Sequence, residues 1–461
     1  MNSEGTATEK IDVDLLVIGW GKAGKTIAKN YATQGHHVAI VERDPGMYGG
    51  TCINVACVPT KDLVVSAEQR RPDDDPAAWF AGAVRDRDAL IGKLNQANYD
   101  MLDGSVQIID GEARFVGPHE VEVATSSGPV QVSAARIVIN TGSSPRLPDI
   151  DGVDLPGVYN STTIQHADPF PKRLCVIGAG FIGLEFASMM NNFGAEVTLL
   201  NHAPALLPDA EPAVAEAVVS LLDDRGITLI NEAEAQRIEQ TDQGLRVVTS
   251  QGDFTCDAVL LATGRTPATA TLNLAAAGIE TDDRGFVVVD EHLRTNVEGI
   301  WATGDVNGGP QFTYISYDDH RIVMDQLTGS GELSTKNRVG VPNVTFLTPP
   351  LAQVGLTPRQ AKDAGHEVLY AAKPVANIAV MPRPKILGET HGVITCTADA
   401  KTRKILGTTL FCTDSQEVIN MVALAIRLGA SVEDLRDGIW THPSSTEAFN
   451  EVLGELAPWS D

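Results

Sequence analysis

Two cysteines five residues apart, Cys52 and Cys57, stand in the segment GMYGGTCINVACVPTK at 46–61. Paired thiols can close into a disulfide and reopen, releasing and taking up two electrons. Residues five apart on an ideal helix lie about 140° from one another around the axis. A disulfide needs Cα atoms within about 7 Å, so joining these two requires a locally distorted helix. Asn54, Ala56 and Pro59 are compatible with such a distortion. A helix N-terminus and the nearby Lys61 would lower a thiol pKa and favour the nucleophilic thiolate. On spacing alone, two buried structural cysteines are an equally good reading.

What surrounds the pair bears on the choice. In DVDLLVIGWGKAGKTIAKNYATQG a buried strand (Val13, Leu15, Leu16, Val17, Ile18) runs into Gly19, Gly21 and Gly24. A helical pattern with Ile27, Ala28, Tyr31 and Ala32 follows, then Gly35 and a second strand, HVAIVE. This strand–turn–helix–strand unit sets its glycines where a pyrophosphate must approach backbone N–H groups. Glu42 ends the second strand 23 residues after Gly19, near the distance expected of an acid that binds a ribose hydroxyl. The pattern recurs in RLCVIGAGFIGLEFASMMNNFGAEVTLLN, with Gly178, Gly180 and Gly183, and Asn201 at the same interval from Gly178. Two cradles imply two nucleotides, most economically a flavin and a nicotinamide. At position 201 an acid would favour NAD and an arginine nearby NADP. Asn201 does neither strongly and His202 could contact either, so NADH and NADPH both stay open.

The chain has 461 residues, which suggests about three domains. Its formal charge of -25 argues against a nucleic-acid partner. MNSEGTATEK lacks the features of a secretory signal and reads as a short disordered lead. No apolar run approaches the roughly 18 residues of a membrane helix, so the expectation is a soluble, cytoplasmic protein without a membrane partner. Six cysteines are too few for a secreted disulfide framework. Cys175, Cys256, Cys396 and Cys412 fall in apolar strand-like stretches and read as inert core residues. No Cys/His cluster has zinc spacing, so no metal site is expected. His36 and His37, adjacent on a strand, read as surface and edge residues.

GGTCINVACVPTK resembles the redox-active segment of the class I pyridine-nucleotide disulfide oxidoreductases, the flavoprotein group of glutathione reductase, lipoamide dehydrogenase and mercuric reductase. The likeness runs from Leu15 to Glu447, through INTGSSPR at 139–146, LATGRTP at 261–267, IWATGDV at 300–306, LTPPLAQVGLT at 347–357 and HPSSTE at 442–447. Ala56 departs from the glycine that many relatives carry. The resemblance implies FAD and NAD(P)H as cofactors, with Cys57 as the thiolate against the flavin and Cys52 as the exposed thiol that attacks substrate. It makes Lys61 and Glu185 an ion pair beside the flavin, Phe181 the aromatic gate over the nicotinamide and Asp305 the acid on the ribityl chain. Thr51, Thr141, Gly142, Gly264, Arg265 and Gly304 lie in its matching stretches as further cofactor-binding positions. His442, oriented by Glu447, becomes a general acid–base delivered to the cysteines of the other subunit of a homodimer.

Within that group the sequence lacks mercuric reductase's extra vicinal cysteines in its final APWSD, and Asn201 weakens the lipoamide dehydrogenase reading. The basic substrate residues of glutathione reductase are not apparent. GWGKAGKTIA, MYGGTCIN and ATGDVNGGPQFTYISYDDHRIV instead resemble the bacterial hypothiocyanous acid reductases, flavoproteins of reactive-chlorine resistance. A small-molecule oxidant, hypothiocyanous acid, is the substrate this implies; another disulfide, Hg(II) or Cu(II), or a flavin-based redox sensor, are the alternatives. QFTYISYDDHR replaces the broader family's Leu-Ala-His run, making Phe312, Tyr314 and Asp319 candidates for the substrate site, an interface or plain structure.

The expected fold is α/β. It comprises two Rossmann-like (three-layer ββα) dinucleotide-binding domains and a C-terminal α+β dimerisation domain. The expected bounds are 11–155 with 283–338 for FAD, 156–282 for NAD(P) and 339–461 for dimerisation. RPDDDPAAWF at 71–80 reads as an acidic turn before a helix, and 328–344 as a linker.

Overall fold

The computed structural model describes residues 9–460. The chain divides into two compact units. One takes in residues up to Leu63 with Gly82–Arg146 and Arg265–Asn337; the other holds Val64–Ala81, Leu147–Gly264 and residues from Arg338 onward.

The first unit is built on a sheet in which Gln107–Asp110, Val38–Glu42, Glu9–Ile18 and Gly128–Ile139 run parallel, in that order. Glu120–Thr125 and Glu112–Gly117 continue it as an antiparallel meander. Ile300–Ala302 pairs in parallel with the far end of Gly128–Ile139. Successive residues of the first strand serve opposite faces, as the twofold period of a strand requires. Leu15 and Val17 join Ile27, Ala28 and Tyr31 of the helix Lys22–Ala32 on one side. Leu16 and Ile18 meet Phe115, Val121 and Val123 on the other. Both faces are covered, so the strand is apolar throughout its buried half. Register sets Ile18 beside Val41 and Ile139, which brings the glycine loop, Glu42 and Asn140 to one edge.

The second unit contains a parallel sheet in the order Thr228–Ile230, Glu196–Leu200, Arg173–Ile177, Ala258–Leu261, Val158–Asn160. Beside it is the antiparallel trio Ala235–Thr241, Gly244–Thr249, Gly252–Cys256. Its C-terminal portion is an antiparallel sheet ordered Asn343–Thr345, Leu351–Gly355, Ile405–Phe411, Val393–Asp399, Val368–Pro374, Ala457–Pro458. Ile419, Val422 and Ala425 of the helix Ser415–Leu428 share that sheet's core.

Two expectations are corrected. Glu9 and Lys10 are strand residues paired with Val130 and Gln131; the rest of the expected lead, residues 1–8, lies outside the described residues. His36 and His37 precede the strand, which begins at Val38; His36 stacks on Tyr31 at 3.9 Å between ring centroids. Asp75 accepts the N–H of Ala78 at 2.8 Å and so starts the helix Pro76–Asp100 after the acidic turn. Among the described residues no helix is long and apolar enough to cross a membrane.

Candidate active site

The segment carrying the cysteines is a broken helix. Thr51–Asn54 forms one short turn, Val55 and Ala56 leave helical geometry, and Cys57 opens the helix Cys57–Glu68. Asn54 causes part of the break: its amide donates to the carbonyls of Tyr48 at 2.9 Å and Gly50 at 3.0 Å. Pro59 sits in the first turn of the second helix, where its missing N–H costs nothing. Gly50 has φ 75°, and a Cβ there would lie 2.8 Å from the Cα of Gly21. Only glycine lets the redox loop approach the nucleotide loop so closely.

This distortion brings the two thiols within hydrogen-bonding reach of each other. Both are free thiols, Cys57 exposed and Cys52 half-buried. The hydroxyl of Thr313 lies 3.6 Å from the Cys57 sulfur and also hydrogen bonds Cys52. The Cys52 thiol is pushed well up by its bond to Cys57, then by burial and by the Cys57 charge; Thr313 and Lys25 pull it down. Arg265 and Tyr314 also feel the charge of Cys57.

The first glycine loop is held by residues that motif reading missed. Asn140 accepts the N–H of Gly24 at 2.9 Å and donates to the carbonyl of Thr303 at 2.8 Å. Ser143 donates to Asp305 at 2.6 Å and accepts from Arg265 at 2.7 Å, linking two expected cofactor residues. Glu42 accepts the N–H groups of Trp20 at 3.1 Å and Asp44 at 3.2 Å, and burial raises its pKa against those bonds. Asp319 proves structural: it is buried and accepts the N–H of Gly304 at 2.6 Å, fixing the turn before Asp305. Phe312 and Tyr314 stack 5.1 Å apart, and Tyr314 is exposed.

The residues fit a flavin nucleotide. Trp20 Nε1, Thr141 Oγ1 and Thr303 Oγ1 are buried without a hydrogen-bond partner, and all three belong to the loops around Gly19, Gly142 and Gly304. Buried polar groups normally find a partner, and a bound polar ligand supplies one.

In the second unit, Gly178 and Gly183 have structural reasons to be glycine. A Cβ on Gly183 would fall 1.8 Å from the Gly178 carbonyl oxygen, and one on Gly178 would fall 2.5 Å from that of Ala262. Gly180 differs, because an added Cβ meets nothing within 4 Å. Open space at the middle glycine is what close approach of a pyrophosphate requires. Phe181, 52% exposed, begins the helix Phe181–Asn192 that this loop leads into. Glu185 on that helix is buried and accepts the N–H of Phe346 at 2.8 Å; Lys61 is half-buried. Asn201 is buried, and its amide is spent on the carbonyls of Ala203 and Ala205 and on Asn231. The exposed His202 is the freer of the two residues expected to meet the nicotinamide nucleotide. Gly264 follows the strand Ala258–Leu261 with φ 108°.

Near the end of the chain, His442 Nδ1 lies 2.9 Å from Glu447 Oε1, and Glu447 also accepts the N–H of Ser444 at 2.8 Å. Burial raises the Glu447 pKa, but Ser444 and His442 outweigh it and leave the carboxyl below its ordinary value. The His442 side chain is 70% exposed, its outer nitrogen available to solvent or a partner. The other four cysteines are buried, as expected; Cys175 and Cys256 hydrogen bond to each other in one core.

Comparison with known proteins matches residues 13–319 to the family described as pyridine nucleotide-disulphide oxidoreductase. Residues 341–453 match its dimerisation domain, which supports a homodimer. The chain is 41% identical over 441 residues to the probable pyridine nucleotide-disulfide oxidoreductase RclA of Escherichia coli, covering 95% of this chain and 98% of that protein. It is 37% identical over 453 residues to a mercuric reductase of Lysinibacillus sphaericus, covering 95% of this chain and 81% of the relative. A solved structure, the Cu(II) complex of the HOCl-induced flavoprotein disulfide reductase RclA from Escherichia coli, superposes with TM-score 0.91 at 40% identity. It covers 96% of this chain and 99% of that one.

Proposed function

The chain belongs to the pyridine nucleotide-disulphide oxidoreductases, FAD-containing and NAD(P)H-dependent enzymes that act on sulfur groups, and on that premise we propose that it reduces hypothiocyanous acid. The observation that carries this reading is the hydrogen-bonded thiol pair Cys52 and Cys57 with Thr313 against both. Similarity to an HOCl-induced flavoprotein supports an oxidant of the reactive-chlorine class.

Cys52 as thiolate attacks the sulfur of HO–SCN, forming a Cys52–SCN bond and expelling hydroxide. His442 of the other subunit, oriented by its Glu447, donates the proton that makes the hydroxide water. Cys57 then attacks the Cys52 sulfur, thiocyanate leaves, and the disulfide holds the two-electron loss of the pair. When bound, FAD supplies hydride acceptance from NAD(P)H and electron delivery to that disulfide. Trp20, Thr141, Thr303 and the Ser143–Asp305–Arg265 chain would hold it, with Glu42 at the adenosine ribose, the glycines 19, 21, 24, 142 and 304 lining its path, and Thr51 and Lys61 beside the ring. Gly180, Phe181 and His202 would take the nicotinamide nucleotide, with Glu185 on the same helix. A substrate of a few atoms needs no large recognition pocket.

We place FAD binding in 11–155 and 283–338, NAD(P) binding in 156–282 and dimerisation in 339–461, in a cytoplasmic homodimer. Because the similar solved protein was obtained as a Cu(II) complex, Cu(II) is the competing substrate. The test is steady-state NADH and NADPH oxidation with hypothiocyanous acid, oxidised glutathione, lipoamide, Hg(II) and Cu(II). Hypothiocyanous acid should give the highest kcat/KM; a clear preference for any other would overturn the assignment.

A further inference from the structure

The helix Pro76–Asp100 presents two asparagines to the loop that carries the cysteines. Asn95 and Asn98 stand three residues apart and so share one face of it. Asn98 forms a wall: a Cβ on Gly49 would lie 3.0 Å from its Cγ. It also accepts from the ammonium of Lys25, just after the first glycine loop, at 2.5 Å and donates to the Leu94 carbonyl at 2.7 Å. Asn95 makes the closer connection. Its Nδ2 lies 3.0 Å from the Gly46 carbonyl, 3.2 Å from Asn54 Oδ1, and 3.4 Å from the carbonyls of Pro45 and Tyr48.

One amide thus clamps both ends of the stretch 45–54, within which Cys52 stands. A side-chain amide has one acceptor oxygen and two N–H donors. With Asn95 donating to its oxygen, Asn54 has its amide turned one way, and its N–H groups go to the carbonyls of Tyr48 and Gly50. The helix breaks directly after Asn54: the N–H groups of Val55 and Ala56 both reach the Thr51 carbonyl, at 3.0 and 2.9 Å. That break is what brings the sulfurs together, since a continuous helix would set them about 140° apart around its axis. A dithiol already held in the shape of its disulfide loses little conformational freedom on closing, so closure is favoured and fast.

We propose that Asn95 is a positioning residue for the redox pair: by fixing Asn54 it holds the broken helix in the reduced enzyme, and so sets how readily Cys57 closes on Cys52. This rests on the reading that the two cysteines cycle between dithiol and disulfide. On closing, one S–S bond forms, and the two thiols give up two protons and two electrons to the oxidant.

The test equilibrates holoenzyme anaerobically in mixtures of reduced and oxidised dithiothreitol, so it depends on neither nicotinamide turnover nor hypothiocyanous acid. The state of Cys52 and Cys57 is read by alkylation and peptide mass spectrometry, with Tm and flavin content as checks on folding. Asn95→Leu removes the donor and should lower the equilibrium constant for disulfide closure about tenfold, a potential about 30 mV less reducing. Asn95→Asp keeps the size of the side chain but cannot donate, and should lower the constant at least as far. It also serves if Asn95→Leu folds poorly. Gln96→Ala, at the exposed neighbour whose amide bonds Asp100 at 2.8 Å, should match wild type. A wild-type closure constant in Asn95→Leu or Asn95→Asp overturns the proposal. The wild type separates the two readings. If it forms no Cys52–Cys57 disulfide at any ratio, the redox pair itself is defeated; if it closes and both Asn95 variants close equally well, only the role of Asn95 is.

Discussion

Thr313 sets its hydroxyl 3.6 Å from the sulfur of Cys57 and reaches Cys52 as well, from the first turn of the helix Thr313–Thr328. One neutral donor therefore serves whichever sulfur carries the negative charge. A hydrogen bond to a charged group is worth about 1.5–3 kcal/mol. Thr313→Val should lower kcat for oxidant reduction about tenfold or more, with flavin content unchanged, and Thr313→Ser should recover most of it. Stopped-flow reoxidation of the reduced enzyme by hypothiocyanous acid checks this; equal rates in the valine and serine variants would remove the hydroxyl from the account.

His442 and Glu447 invite a pH experiment. Glu447 has a depressed pKa, so the stability it contributes is present above the ordinary glutamate value of about 4.3. That contribution is lost as pH falls through the lower folded value. At neutral pH it is a fixed anion beside His442. His442→Gln should lower kcat about 10²–10⁴-fold. Glu447→Gln should lower it less, because the ring loses the carboxylate that orients it. Equal kcat for wild type and Glu447→Gln would contradict the pairing.

The second glycine loop separates folding from binding. Gly183→Ala drives a methyl group into the Gly178 carbonyl and should lower Tm or abolish soluble expression. Gly180→Ala meets no protein atom and should leave Tm within a degree or two. It should nevertheless raise the KM for the nicotinamide at least tenfold, measured by initial rates at fixed oxidant. A Gly180→Ala enzyme with wild-type KM would show that no nucleotide comes close to this loop.

Both cradles were legible because their pattern is local: strand, glycine turn and helix lie within thirty residues. The need for a distorted helix at the cysteines was legible for the same reason, from spacing alone. What escaped reading depends on register between distant strands. Asn140 binds Gly24 and Thr303 only because Glu9–Ile18 lies beside Gly128–Ile139 with Ile300–Ala302 beyond. Asn201 occupies the position that selects a ribose, yet its loop consumes the amide. Lys25 looks like any solvated helix lysine until the helix Pro76–Asp100 covers it.

The account turns on electrons reaching Cys52 and Cys57. Oxidised holoenzyme is alkylated to block free thiols, reduced anaerobically with one equivalent of NADH or NADPH, and labelled with a second, isotopically distinct alkylating reagent. The account predicts new label on Cys52 and Cys57 alone, with Cys175, Cys256, Cys396 and Cys412 unchanged. Bleaching of the flavin with no new label on either cysteine would contradict it.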